Sequence, residues 1–496
     1  MESFYEMLAR YGEQDVYPCH MPGHKRRLHG HLPELFVKTD LTEIEGFDDL
    51  HYPQGILREL QQQAALLYGA EESYYLVNGS TCGILSAVSA ALPPGGHLLV
   101  ARNCHKSVYH GAYLRNLALS YLYPEYLAEY DIYEAVTPGQ VRRALEETPG
   151  IGAVLIVSPT YEGRIAEVSA IVREVHRKGL PLIVDEAHGA HLGFFPGFAP
   201  SSCRLGADLV VHSVHKTLSG MTQTALLHVN GDRIDRTRLR RFLRIYQSSS
   251  PSYVLLAGID NALRLVREEG EALFGELIRR WREMLLLLSA CRNLTILSGG
   301  QGRQDVGKLL IGVKKIGLSA RQLCDMLIRE YHIQTEMTGK NCVLAMFTVG
   351  DTEEGFRRMT EALLEIDKKY GMTQEMAEAA PGWPRLRQEV SLSATACGGC
   401  VRPLPAFSLT TAWDGEKEEC TLERSVGRYA AEFLMLSPPG VPFAVPGEIL
   451  SEQAVEAVLS CLRDGLEVQG IQKKGKTYFL MVLMADLPGA KDTDAE

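Results

Sequence analysis

Three short, almost wholly apolar runs constrain this chain more than any other feature: AVLIVSP (Ala153 to Pro159), LPLIVDEA (Leu180 to Ala187) and ADLVVHS (Ala207 to Ser213). A strand with one face in water alternates apolar and polar residues, whereas a strand covered on both faces is apolar almost throughout. Between the runs lie stretches of helical character, such as VSAIVREVHRKG before Leu180. The alternation continues from about residue 70 to 230 and predicts an α/β fold, a mostly parallel sheet with helices on both faces.

Beyond residue 250 the pattern changes. Leu255 to about Cys291 has apolar residues at helical spacing and reads as a helix linking the sheet to the rest. Residues 295–370 mix a strand-like LAMFTV with an amphipathic EGFRRMTEALLEIDKKY, which suggests a smaller α/β unit. The Pro- and Gly-containing APGWPRLRQ (380–388) marks a boundary, and KDTDAE a frayed tail. The expected organisation is an N-terminal segment (1–70), a large domain (71–290), a small α/β domain (291–380) and a C-terminal domain (381–496).

At 496 residues the chain can bury a sizeable core. Its 51 basic against 61 acidic side chains give a net charge of -10, which argues against nucleic acid as the main partner. The N-terminal MESFYEMLARYGEQD lacks the layout of a signal peptide, and no apolar run reaches the roughly 18 residues of a membrane span. Eleven scattered cysteines predict reduced thiols in a cytoplasmic enzyme. Cys397-Gly-Gly-Cys400 has no second CxxC to complete a zinc site, so no metal is expected there.

Four segments carry chemistry. In VVHSVHKTLSGMTQTA (Val210 to Ala225) a strand delivers Ser213, His215 and Lys216 into a loop rich in hydroxyls and glycine. A partly desolvated, deprotonated lysine can condense with an aldehyde. Alone, the segment would also suit a solvated lysine beside a capping serine. Asp185 ends a very apolar strand, where an isolated carboxylate is costly to bury. A protonated pyridine nitrogen would compensate it. Alternatively Asp185, His188 and His191 stand at i, i+3 and i+6 as metal ligands, which would leave Lys216 without a role. Tyr74 to Leu92 reads as strand, turn at Asn78-Gly79, then a helix opening at Ser80 and Thr81, a start that suits a phosphate or an ordinary cap. His105 follows an apolar segment and could stack on an aromatic cofactor or serve as a loop histidine. Together these form one constellation at strand ends: phosphate cradle, ring stacker, pyridinium carboxylate and lysine.

With these residues the chain resembles the bacterial ornithine/lysine/arginine decarboxylase family, in its short form. The matching stretches are MPGHKRR (21–27), DLTEIEGFDDLHYPQG (40–55), NGSTCG (78–83), RNCHKS (102–107), SPTYEG (158–163), DEAHGAH (185–191), HSVHKT (212–217) and SPPGVPFAVPGE (437–448). They run through nearly the whole chain in family order. Two departures are Ser437, where the family usually has Tyr, and IEGF at 44–47 in place of a leucine-rich version.

The resemblance implies the aspartate-aminotransferase-like (fold type I) scaffold, pyridoxal 5'-phosphate as cofactor and a homodimer or higher homo-oligomer. It implies removal of the α-carboxylate from arginine, lysine or ornithine, with arginine slightly favoured. By matching motif, Lys216 holds the cofactor, Asp185 contacts the ring nitrogen and His105 stacks on the ring. Ser80, Thr81, Ser213 and His215 surround the phosphate, and His188 lies near the phenolic oxygen. Lys216 or His215 would reprotonate Cα. Glu448 resembles the acid that meets the substrate's distal cation, although on residues alone it suits a helix start equally. MPGHKRR and Asp48 to His51 are expected to reach the neighbouring subunit's site. The rival readings are an aminotransferase or lyase on the same fold, a weakly active scaffold that binds the cofactor, and a zinc enzyme using His20, His24, His188 and His191.

Overall fold

The computed structural model describes residues 15, 17–19, 48–297, 303–379 (the side chains of 372–379 excepted), 407–436 and 440–484. MPGHKRR, His20, His24, Cys397, Cys400, Ser437 and the expected boundary at 380–388 lie outside them.

A seven-stranded sheet organises the molecule, built from β1 (Glu72–Leu76), β2 (His97–Ala101), β3 (Ala118–Leu122), β4 (Ala153–Val157), β5 (Leu182–Asp185), β6 (Leu209–Ser213) and β7 (Ala225–Val229). Their order is β1-β7-β6-β5-β4-β2-β3. Only β7 runs against its neighbours, β6 and β1; every other pairing is parallel. Successive residues of the central strands feed two separate cores. Val154, Ile156, Leu182 and Val184 pack on one face, and Ala153, Leu155, Ile183 and Leu209 on the other. Burial on both sides is why the three runs are apolar without alternation.

Each site-bearing helix begins where a strand stops. Helix α1 (Gly79–Ala91) follows β1, and α2 (Lys106–Arg115) follows β2 with His105 as its N-cap. Beyond β6 the chain makes one helical turn, Val214–Thr217, where a loop was expected. Residues Tyr253–Leu288 form a single long helix, close to the stretch read as a linker.

That helix leads to a four-stranded antiparallel sheet containing Lys308–Gly312 and Cys342–Met346. Further on, two three-stranded antiparallel sheets and the helix Glu452–Arg463 enclose a core of their own, with Leu434, Leu450, Val458 and Val482. Among the described residues no helix is long and apolar enough to cross a membrane.

Candidate active site

Because β5 and β6 are adjacent and parallel, with Asp185 paired to Val211, the residues that come after them emerge on one edge of the sheet. The starts of α1 and α2 open onto the same edge. The result is a cavity of about 430 Å³. Ser80, Thr81, His105, Asp185, His188, His215 and Lys216 all line it, so seven of the nine singled-out residues are brought together. At the start of α1 the Gly79 N–H donates to the Gln223 carbonyl at 2.9 Å, whereas the next N–H groups, of Ser80 and Thr81, have no acceptor within their helix, and the N-cap Asn78 makes no side-chain cap bond. That end of the cavity is therefore rich in donors.

Burial sets the electrostatics. Asp185 is 5% exposed and accepts one N–H, from Ala187 at 3.2 Å. Desolvation raises its pKa, against the opposing pull of Lys216. Lys216 is itself pushed down by burial, while Asp185 and Glu336 pull it back up. Its Nζ lies 3.0 Å from His188 Nε2. His105 Nδ1 accepts the Ser107 N–H at 3.2 Å, and burial, then Lys216 and Lys106, bring its pKa down to about 4. The ring is neutral at ordinary pH and suited to stacking. His215 Nδ1 donates to the Thr224 carbonyl at 2.9 Å, which fixes its tautomer.

Two singled-out residues stand outside the lining. Ser213 ends β6 one turn before Lys216, and its buried hydroxyl has no hydrogen-bond partner among the described residues. Glu448 is engaged within the protein. Its carboxylate is 1% exposed and accepts Arg102 Nη1 and Nη2, both at 2.8 Å, and the Val445 N–H at 2.8 Å. Three of the roughly four lone-pair sites of the carboxylate are thus engaged. Glu448 does not cap a helix, since the next one begins at Glu452 behind Ser451.

The sequence reading missed the cation Lys308. Its Nζ lies 2.8 Å from His188 Nδ1, so both nitrogens of that ring face lysines. Tyr161 and Glu162 also line the cavity. They stand inside the quoted SPTYEG motif, which was the available signal. The alternative metal set does not assemble: His191 Nε2 is taken by Asp305 at 2.8 Å, and no group of three potential ligands occurs among the described residues.

Comparison with known proteins bears on what the cavity does. The model for the Orn/Lys/Arg decarboxylase major domain matches residues 2–298, and that for the C-terminal domain of the same family matches 401–483. An arginine decarboxylase of Bacillus subtilis is 31% identical over 478 residues, 94% of each chain. Among solved structures, the lysine decarboxylase LdcF of Francisella novicida superposes with a TM-score of 0.76 at 18% identity, over 90% of this chain and 75% of that one. A serine palmitoyltransferase described with PLP gives a TM-score of 0.52 at 16% identity, over 64% of this chain and 77% of that one. At such identities the solved structures speak for the fold alone, which is that of the fold type I enzymes. The sequence matches carry more: the chain belongs to the Orn/Lys/Arg decarboxylase family and is a decarboxylase.

Proposed function

We propose that this decarboxylase uses pyridoxal 5'-phosphate, held on Lys216, to remove the α-carboxylate of a basic amino acid, giving CO₂ and agmatine or a diamine. Arginine is the favoured substrate, with lysine and ornithine as the other members of the class. The observation that carries the reading is the meeting of Lys216 and Asp185 in one buried cavity, beside a helix start with spare N–H donors.

The residues fit the cofactor. Asp185 is a buried carboxylate with a single hydrogen bond among the described residues, and a protonated ring nitrogen would complete its partners. The unpartnered Ser213 hydroxyl and the donors of Ser80 and Thr81 suit a phosphate, with His215 beside them. Neutral His105 would lie against the ring face, and His188 near the phenolic oxygen. When bound, the cofactor supplies a sink for the electron pair released as CO₂ departs.

The chain's own groups do the rest. Asp185 holds the ring nitrogen protonated. Lys216 gives way to the substrate's amine, takes up the proton that the substrate's ammonium sheds, and afterwards, with His215 as the alternative donor, returns a proton to Cα. Apart from Asp185, Glu162 is the carboxylate lining the cavity among the described residues, which makes it the group available to a distal cation. Cytoplasmic location and assembly as a homodimer or higher homo-oligomer belong to the same proposal.

Product analysis with arginine, lysine and ornithine tests it. One of the three should yield stoichiometric CO₂ and its amine in a cofactor-dependent way. Glu162→Gln should then raise KM for that amino acid; an unchanged KM would remove Glu162 from the role. Transamination without CO₂ release would overturn the reading.

A further inference from the structure

We propose that Lys216 and Lys308 share one proton through His188, with Lys308 as its resting place, so that Lys216 is kept as the free amine. The inference rests on the reading of Lys216 as the cofactor-bearing lysine and concerns what prepares that lysine.

Lys308 is 1% exposed and opens the buried strand Lys308–Gly312 of the four-stranded sheet, whereas Lys216 and His188 come after strands of the large sheet. Its Nζ faces three acceptors: His188 Nδ1 at 2.8 Å, the Tyr161 carbonyl at 3.1 Å and Met346 Sδ at 3.4 Å. An ammonium has three N–H donors and satisfies all three; a neutral amine has two and leaves one acceptor short. Lys216 Nζ lies 3.0 Å from the opposite ring nitrogen, Nε2.

A neutral imidazole has one N–H and one lone pair. If Nδ1 accepts from the Lys308 ammonium, Nε2 carries the hydrogen and donates it to Lys216, which then needs its lone pair free. If the proton moves to Lys216, the ring changes tautomer and Lys308 becomes the acceptor. Two ammonium groups at once would ask the ring to accept twice, which no neutral imidazole can do.

The surroundings favour the first arrangement. Glu336, Asp305 and Glu162 attract a proton to Lys308, while Asp185 and Glu336 do so for Lys216. The Tyr161 ring lies 5.4 Å from Lys308 Nζ, a further contact that favours charge there. His188 itself stays neutral, because burial, both lysines, His215 and His105 oppose an imidazolium. Burial brings Lys308 down to about 8 and lowers Lys216 as well.

The test measures the pH dependence of covalent linkage between pyridoxal phosphate and the cofactor-free protein. Absorbance gives the rate, and borohydride trapping with peptide mapping gives the site. Lys308→Met removes the neighbouring cation and lets His188 accept from a Lys216 ammonium. The midpoint should rise by about one pH unit, so that linkage slows as pH falls below the new midpoint, by up to roughly tenfold well below it. Lys308→Arg keeps charge and donors and should restore most of the parent's profile. Should Lys308→Met fail to fold, Lys308→Gln carries the same expectation. A midpoint equal to the parent's, or lower, in a folded Met or Gln variant would overturn the shared proton while leaving Lys216 as the cofactor lysine. Trapping at a different lysine in the parent would instead overturn the cofactor reading, and this inference with it.

Discussion

Arg102 and Glu448, 346 residues apart in the chain, meet in a doubly hydrogen-bonded ion pair with both contacts at 2.8 Å. Arg102 directly follows β2 and Glu448 belongs to the C-terminal segment, so the pair fastens that segment to the edge of the sheet where the cavity opens. Val441 from the same segment lines the cavity, and Gly440 lies close to His105.

Removing one member of a buried pair leaves the other charge uncompensated, at a cost of about 3–5 kcal/mol. Glu448→Gln should therefore lower the unfolding free energy by an amount of that order, read by chemical denaturation. If the variant kept full stability and lost only kcat/KM, Glu448 would meet the substrate rather than Arg102.

His105 makes stability depend on pH. Its pKa falls from the ordinary 6.5 to about 4 on folding, so between those values the unfolded chain binds the extra proton. The contribution is complete above about pH 6.5 and is lost as pH falls toward 4. His105→Phe keeps a ring and removes the titration. Because the His105 side chain is open to solvent in the cofactor-free protein, screening discounts the shift, and between pH 7 and 4.5 the parent should lose about 1 kcal/mol more than the variant. Equal losses would show that His105 titrates normally in the folded chain.

Asp185→Asn keeps the shape of the side chain and gives up the charge. The variant should retain cofactor absorbance yet lose turnover on the order of a hundredfold, the scale of one preorganised electrostatic contact. Near-parental turnover would assign Asp185 a different role.

The features legible in the sequence were those that burial writes into composition. Two-sided burial made β4, β5 and β6 legible as continuous apolar runs, and a carboxylate at the end of such a run made Asp185 conspicuous. Residues at strand ends could be grouped because strand order in an open sheet gathers them at one edge. Lys308 was not legible. It heads an ordinary strand, and its partner His188 lies 120 residues earlier, so nothing local reveals the contact. The ion pair of Glu448 was not legible for the same reason: its neighbours suggest a helix start and its family motif a substrate contact, and Arg102 stands 346 residues earlier. A one-turn helix at Val214–Thr217 replaced the expected loop, an outcome that Ser, Thr and Gly downstream could not signal.

Lys216 as the residue that carries the cofactor is the claim on which the proposed chemistry depends most. The protein loaded with pyridoxal phosphate, reduced with borohydride and mapped by peptide mass should show the label on Lys216, and Lys216→Ala should show none. Labelling at another lysine, Lys308 included, or undiminished labelling of Lys216→Ala, would contradict it.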